Sequence, residues 1–176
     1  MAVGQLNFDK GKIELLKQPV AILPVDFIVE VQKQLEKEGR ENLIYYSMRD
    51  ATISWFNSLY DYFKISREDV VKWGLDIVTA AGWGITKIDK IDSKEKIVIF
   101  TLEDSTFANR YGKSRLAIDH FARACTAGGG ALILNADVEA IETKCIAKGD
   151  KLCEFIVKEK DAWDKNDPLV KQQLKR

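Results

Sequence analysis

The stretch Glu142-Thr143-Lys144-Cys145-Ile146-Ala147-Lys148-Gly149-Asp150-Lys151-Leu152-Cys153 decides how the chain is read. It places two of the three cysteines symmetrically about a glycine. A β-hairpin turning at Gly149 sets Cys145 opposite Cys153, with Cα atoms roughly 4.5–5.5 Å apart, so two thiolates can share one metal ion. Glu142 and Cys145, at i and i+3, point to opposite faces of an unbroken strand. Joining them in one site therefore demands a bulge or a strand end near Thr143. Cys125, the remaining cysteine, and Glu142 complete a candidate tetrahedral set with Cys145 and Cys153. Zinc is borderline-soft and takes thiolates readily, with a carboxylate as an acceptable fourth ligand. The bland alternative is three buried, inert cysteines, a common fate of this residue type.

Outward from this hairpin, which spans residues 137–157, the hydrophobic period changes twice. A helical segment from about Gly112 to Leu134 carries Leu116, His120 and Cys125. Before it, Trp83 to Ile91 and Glu95 to Leu102 alternate as two strands joined by Asp92-Ser93-Lys94, with Val98, Phe100 and Leu102 on one face. Three helical patterns precede these strands. Phe27, Ile28, Val31 and Leu35 mark the first, which Gly39 stops. Ile44, Met48, Thr52, Trp55, Leu59 and Phe63 mark a long second. Ser66 with Asp69 opens the third in capping-box fashion. Residues 5–17 read as a hairpin turning at Asp9-Lys10-Gly11, and Pro19 and Pro24 bracket a short connection. Helices first and antiparallel strands later predict an α+β domain. Residues 1–64 supply the N-terminal hairpin and helices, 65–158 the core and 159–176 a polar tail ending in a helix or fraying.

The chain has 176 residues, with 27 Lys and Arg against 27 Asp and Glu and a pI near 6.6. That balance removes the electrostatic reason to expect nucleic acid or an anionic membrane as partner. The start, Met1-Ala2-Val3-Gly4-Gln5, lacks a signal-peptide pattern. The longest apolar runs, such as Ala131-Leu132-Ile133-Leu134, fall far short of the ~20 residues of a membrane span. A cytoplasmic setting is the expectation, and there clustered cysteines more often bind metal than form disulfides.

His120 is the only histidine. Five residues along a helix put it about 140° from Cys125, which argues against a catalytic dyad. Gly112-Lys113-Ser114 imitates a phosphate-binding loop, but Phe107 stands where that motif needs glycine. Gly128-Gly129-Gly130 is better suited to letting a helix approach another backbone. Most aromatics are core on any reading. An apolar cavity with the polar handles Trp83, Tyr111 and His120, and Phe107 in its wall, would nevertheless suit a small hydrophobic ligand.

Residues 70–158 resemble the 4-vinyl-reductase, or hydrocarbon-binding, domain family. The resemblance is carried by Ala81-Gly82-Trp83-Gly84, by Asn109-Arg110-Tyr111-Gly112-Lys113 ahead of a helix with Cys125, and most of all by Val138 through Phe155. It implies the α+β ligand-binding fold shared with haem-type nitric-oxide sensors and vesicle-transport particle subunits, often as a dimer. The family's phenol-sensing regulators hold zinc with three Cys and one Glu, a pattern that falls on Cys125, Glu142, Cys145 and Cys153. The expectation is a stand-alone sensor or carrier of an apolar or aromatic ligand, zinc-stapled and homodimeric, with Trp83, Phe107, Tyr111 and His120 at the ligand. An enzyme of small aromatic or tetrapyrrole metabolism, or a protein-interaction module, are the alternatives.

Overall fold

A computed structural model describes residues 6–15 and 18–174; Met1–Gln5, Leu16, Lys17, Lys175 and Arg176, which include both ends of the expected 5–17 hairpin, lie outside them. The chain starts with β1 (Leu6–Asp9) and β2 (Lys12–Leu15), which pair antiparallel with Phe8 opposite Ile13. A third strand that the sequence reading did not foresee, β3 (Gln18–Val20), joins β2 and puts Pro19 opposite Glu14. Proline lacks the N–H of an inner strand, and β3 lies at the edge of this three-stranded sheet, where that lack is tolerated.

Three helices follow as the period predicts: α1 (Val25–Lys37), α2 (Asn42–Phe63) and α3 (Arg67–Ala80). Ser66 caps α3 by accepting a hydrogen bond from the Asp69 N–H, and its hydroxyl donates to the Asp69 carboxylate at 2.6 Å. On α1 the buried side chains are Val29 and Gln32, while Phe27 and Val31 are exposed. The apolar period thus placed the helix but not its inner face.

The second sheet has the order β4-β5-β7-β6, all antiparallel. Its strands are β4 (Ile85–Asp92), β5 (Ile97–Glu103), β6 (Val138–Lys144) and β7 (Cys153–Glu159). Val98, Phe100 and Leu102 are fully buried, whereas Ile97, Ile99 and Thr101 are only partly covered, as the alternation requires. The helix expected from Gly112 starts later, and a short helix not foreseen precedes it. A short α4 (Thr106–Tyr111) ends at Gly112, and α5 (His120–Leu134) begins only after Asp119 caps it.

α5 packs between the sheet and α2. A Cβ on Gly128 would lie 2.5 Å from Thr52 Cγ2, and one on Gly130 would lie 2.5 Å from Val157 Cγ1. The glycine run is therefore the contact that lets α5 close against α2 on one side and β7 on the other.

Beyond β7 the polar tail ends in a docked helix, α6 (Pro168–Gln173), capped by Asp167. It lies along β6, which is an edge strand. Side chains supply that strand's missing partners. Arg49 Nε donates to Val138 O at 3.0 Å, the Tyr45 hydroxyl accepts from the Ala140 N–H at 2.8 Å, and the Gln173 amide bonds both the N–H and C=O of Glu142.

Candidate metal centre

One donor atom each from Glu142, Cys145 and Cys153 lie within 4.8 Å of one another, and all three residues are buried. The ladder explains how they meet. Glu142 pairs with Phe155, but Lys144 pairs with Glu154, so Thr143 is the extra residue of a bulge. That bulge reverses the alternation and brings Glu142 to the side of Cys145. The next step of the shifted register sets Cys145 against Cys153 at the two mouths of the connecting loop. The loop turns through a short 3-10 segment, Ile146–Lys148, and closes at Gly149, whose φ of 99° favours glycine. Asp150 accepts from the Cys145 N–H at 2.8 Å, and the Ile146 N–H points at Cys153 Sγ at 3.4 Å.

A fourth acidic group borders the site. Asp119 is fully buried; its N–H donates to Glu142 Oε2 at 2.9 Å, and its Oδ2 lies 4.0 Å from Cys153 Sγ. Its other oxygen, Oδ1, accepts from the Ala122 N–H as the α5 cap, and the Ser105 hydroxyl, itself the cap of α4, donates to Oδ2.

Cys125 is not in the group. It lies six residues beyond Asp119 on α5, about 9 Å along the axis at 1.5 Å per residue. It is buried, and burial alone pushes its thiol up to about 12. The sequence spacing pointed to the helix cysteine, whereas the structure puts the helix's capping aspartate at the site. The available signal was an Asp directly ahead of a helical run, a pattern too common to single out.

The electrostatics suit a cation. A hydrogen bond from Cys153, and then one from Glu142, hold Cys145 down at about 5 despite burial. Cys153 is pushed far up, first by that same bond and then by burial and the two carboxylates. Burial raises Asp119 to about 6. Burial, with Asp119 beside it, also raises Glu142 well above the ordinary carboxylate range. The four groups resist ionising together because they are buried and their negative charges repel one another. Glu142 Oε1 is buried without a hydrogen-bond partner. Two thiols, two carboxylates and one vacant acceptor match the donor set of a tetrahedral zinc site.

The four residues expected at a ligand fall into two groups. The Trp83 and Phe107 rings meet edge-on at 5.0 Å, and Phe107 stacks on Phe121 at 5.5 Å. Tyr111 and His120 instead converge on Glu36 of α1: the Tyr111 hydroxyl donates to Oε2 at 2.5 Å and His120 Nε2 lies 3.6 Å from Oε1. Burial lowers the His120 pKa, with Glu36 opposing. Two surface clefts lie elsewhere, one of about 430 Å³ beside Ile53, Arg67 and Asn135, the other of about 670 Å³ beside Leu43, Tyr46 and Arg49.

The chain has an α+β fold that it shares with a solved sensory domain. It superposes on the phenol-responsive sensory domain of the transcription activator PoxR, solved with phenol, at a TM-score of 0.77 and 14% identity, over 99% of this chain and 94% of that one. A vinyl-4-reductase family protein from Methanocaldococcus jannaschii gives 0.53 at 16% identity, over 80% and 83%. A trafficking protein particle complex subunit 3 from Naegleria fowleri, covalently bound to palmitic acid, gives 0.52 at 11% identity, over 76% and 93%. These are the three groups that the sequence resembles. In sequence, an uncharacterized protein of Methanocaldococcus jannaschii is 32% identical over 97 residues, 55% of this chain and 55% of that relative. No protein-family model matches the chain.

Proposed function

We propose that the protein is a sensor or carrier domain for a small apolar or aromatic molecule, stapled by a structural zinc. The observation that carries the metal is the buried meeting of Glu142, Cys145 and Cys153 within 4.8 Å. Asp119, not Cys125, is the proposed fourth ligand. Zinc there neutralises the thiolates and ties β6 and β7 to the start of α5; Ser105 and the Ala122 N–H orient Asp119. For the ligand, the support is the fold shared with a domain solved with phenol, together with the aromatic row Trp83, Phe107 and Phe121. Phe107 stands two residues after Ser105, and Phe121 two after Asp119.

Elemental analysis is expected to find about one zinc per chain, as a four-ligand site requires. Cys145→Ser and Cys153→Ser should release it and Asp119→Asn should weaken it, while Cys125→Ser retains it. Full retention in both of the first two variants, or loss in the last, would overturn this assignment. Small phenols should raise the melting temperature by mass action, and Trp83→Ala should remove that response without removing zinc.

A homodimer belongs to the same proposal. Phe8, Ile22, Leu23, Phe27 and Val31, all in the first 31 residues, are exposed in the single chain. An interaction module is the second reading, favoured by that same apolar surface.

A further inference from the structure

Arg123, one turn into α5, is completely buried, and its side chain is only half used. Nη1 donates to Gln173 O at 2.7 Å and to Gln173 Oε1 at 3.1 Å. Nε and Nη2 have no hydrogen-bond partner among the described residues. These two nitrogens form one edge of the guanidinium, the edge that grips a carboxylate through two parallel hydrogen bonds. One face of the group is already set, since it lies 3.9 Å over the Tyr45 ring.

The nearby acids are turned elsewhere. Glu139 accepts the Tyr45 hydroxyl at 2.7 Å and lies 3.7 Å from Arg49 Nε. Glu142 is directed at the Asp119 N–H and the cysteines. Both act on Arg123 through their charge, but neither hydrogen-bonds its Nε or Nη2. A buried cation with an unused two-pronged edge is costly unless something pairs with it.

A cleft lies beside Tyr46, next to this stack, and Arg123 itself does not line it. The cleft of about 670 Å³, within the range of about 300–1,000 Å³ usual for small ligands, is lined by Tyr46 and Arg49. The Tyr46 ring packs 5.1 Å from Tyr45, and its hydroxyl donates to Leu174 O. Tyr46 thus joins the cleft to the Tyr45–Arg123 stack, under a cover consisting of α6. That cover is a six-residue helix held by the buried Val170 and Gln173.

We propose that Arg123 anchors the carboxylate of a small aromatic or apolar acid, which enters from the cleft past Tyr46 as α6 lifts. This rests on the small-molecule reading above and adds to it the chemical class of the ligand's polar end. Tyr45 holds the guanidinium flat from one side, Gln173 holds Nη1, and the free edge donates to the two carboxylate oxygens.

The test uses the zinc-loaded full chain and four probes: benzoate, the neutral isostere benzamide, phenol and acetate. Benzoate should raise the melting temperature and bind at least about tenfold more tightly than benzamide, the worth of one charge-assisted hydrogen bond or more. In isotope-labelled wild-type protein the buried Arg123 Nε–H NMR signal should shift on adding benzoate. Arg123→Lys, which keeps the charge but loses the paired edge, should remove at least about tenfold of the benzoate affinity. The wild-type NMR signal keeps the test intact if that variant does not fold. Equal binding of benzoate and benzamide, or an unmoved Nε–H signal, overturns the proposal. Stabilisation by phenol but not benzoate overturns it while leaving the small-molecule reading standing. No response to any probe or to a wider apolar library defeats both.

Discussion

Asp119 divides its carboxylate between two tasks: Oδ1 caps α5 through the Ala122 N–H, and Oδ2 faces Ser105 and Cys153. An amide has one acceptor oxygen and a thiol caps poorly, so a carboxylate is the side chain that serves both. The pKa directions then fix how metal uptake depends on pH. At pH 7 Asp119, raised to about 6, and Cys145, lowered to about 5, have already lost their protons, whereas Cys153 keeps its own. Zinc binding at pH 7 should therefore release at least one proton, read by calorimetry in buffers of different ionisation enthalpy. At pH 5 Asp119 is protonated as well, so more protons are released and apparent affinity falls as pH falls. Affinity unchanged between pH 7 and 5 would contradict this. At this scale the cysteine pair was legible because its symmetry about Gly149 is written in the chain. Asp119 was not, because its nearness to Glu142 arises where α5 meets β6 and no local spacing records it.

At the scale of elements, period and caps placed most helices and strands. The break between α4 and α5 escaped because apolar residues continue across it; Ser105 and Asp119, the two caps, are where it was encoded. A bulge or a strand end near Thr143 was demanded by the sequence if Glu142 and Cys145 were to meet, and of the two a bulge is there. The glycine run gives a sharp test of packing. Gly130→Ala gains about 0.5–1 kcal/mol of helix propensity, but its Cβ would meet the buried, β-branched Val157 at 2.5 Å. Overpacking costs about 1–3 kcal/mol, so the variant should be net destabilised, with a melting temperature lower by about 2–4 °C per kcal/mol lost. A rise in melting temperature would show that β7 yields. Gln173→Ala should cost about 1–3 kcal/mol, because the Glu142 N–H and C=O lose their partner. Amide exchange at Glu142 should accelerate, while β5 remains protected.

For the whole molecule, the N-terminal region presents an uncovered apolar surface. A three-stranded sheet needs an apolar face packed against something, and Phe8 and Ile22 are among its exposed neighbours. Sedimentation at micromolar concentration is expected to give twice the 20.0 kDa of one chain, and Phe8→Asp combined with Phe27→Asp should restore the monomer. A wild-type monomer across that range would refute the pairing. Surface of this kind was foreseeable from composition only as surplus hydrophobicity, since exposure depends on which face of α1 turns inward. The four-stranded sheet, by contrast, has both rims closed to strangers. The β6 rim is occupied by Arg49, Tyr45 and Gln173. The β4 rim is broken by an irregularity between Ile88 and Lys90 and bears the exposed Lys87 and Lys90. Charge and bulges of this sort keep an edge from templating another strand. Ribbon-like polymerisation through this sheet therefore has no place to begin while α6 stays down, and the tail that looks like a polar afterthought in the sequence guards the protein's solubility.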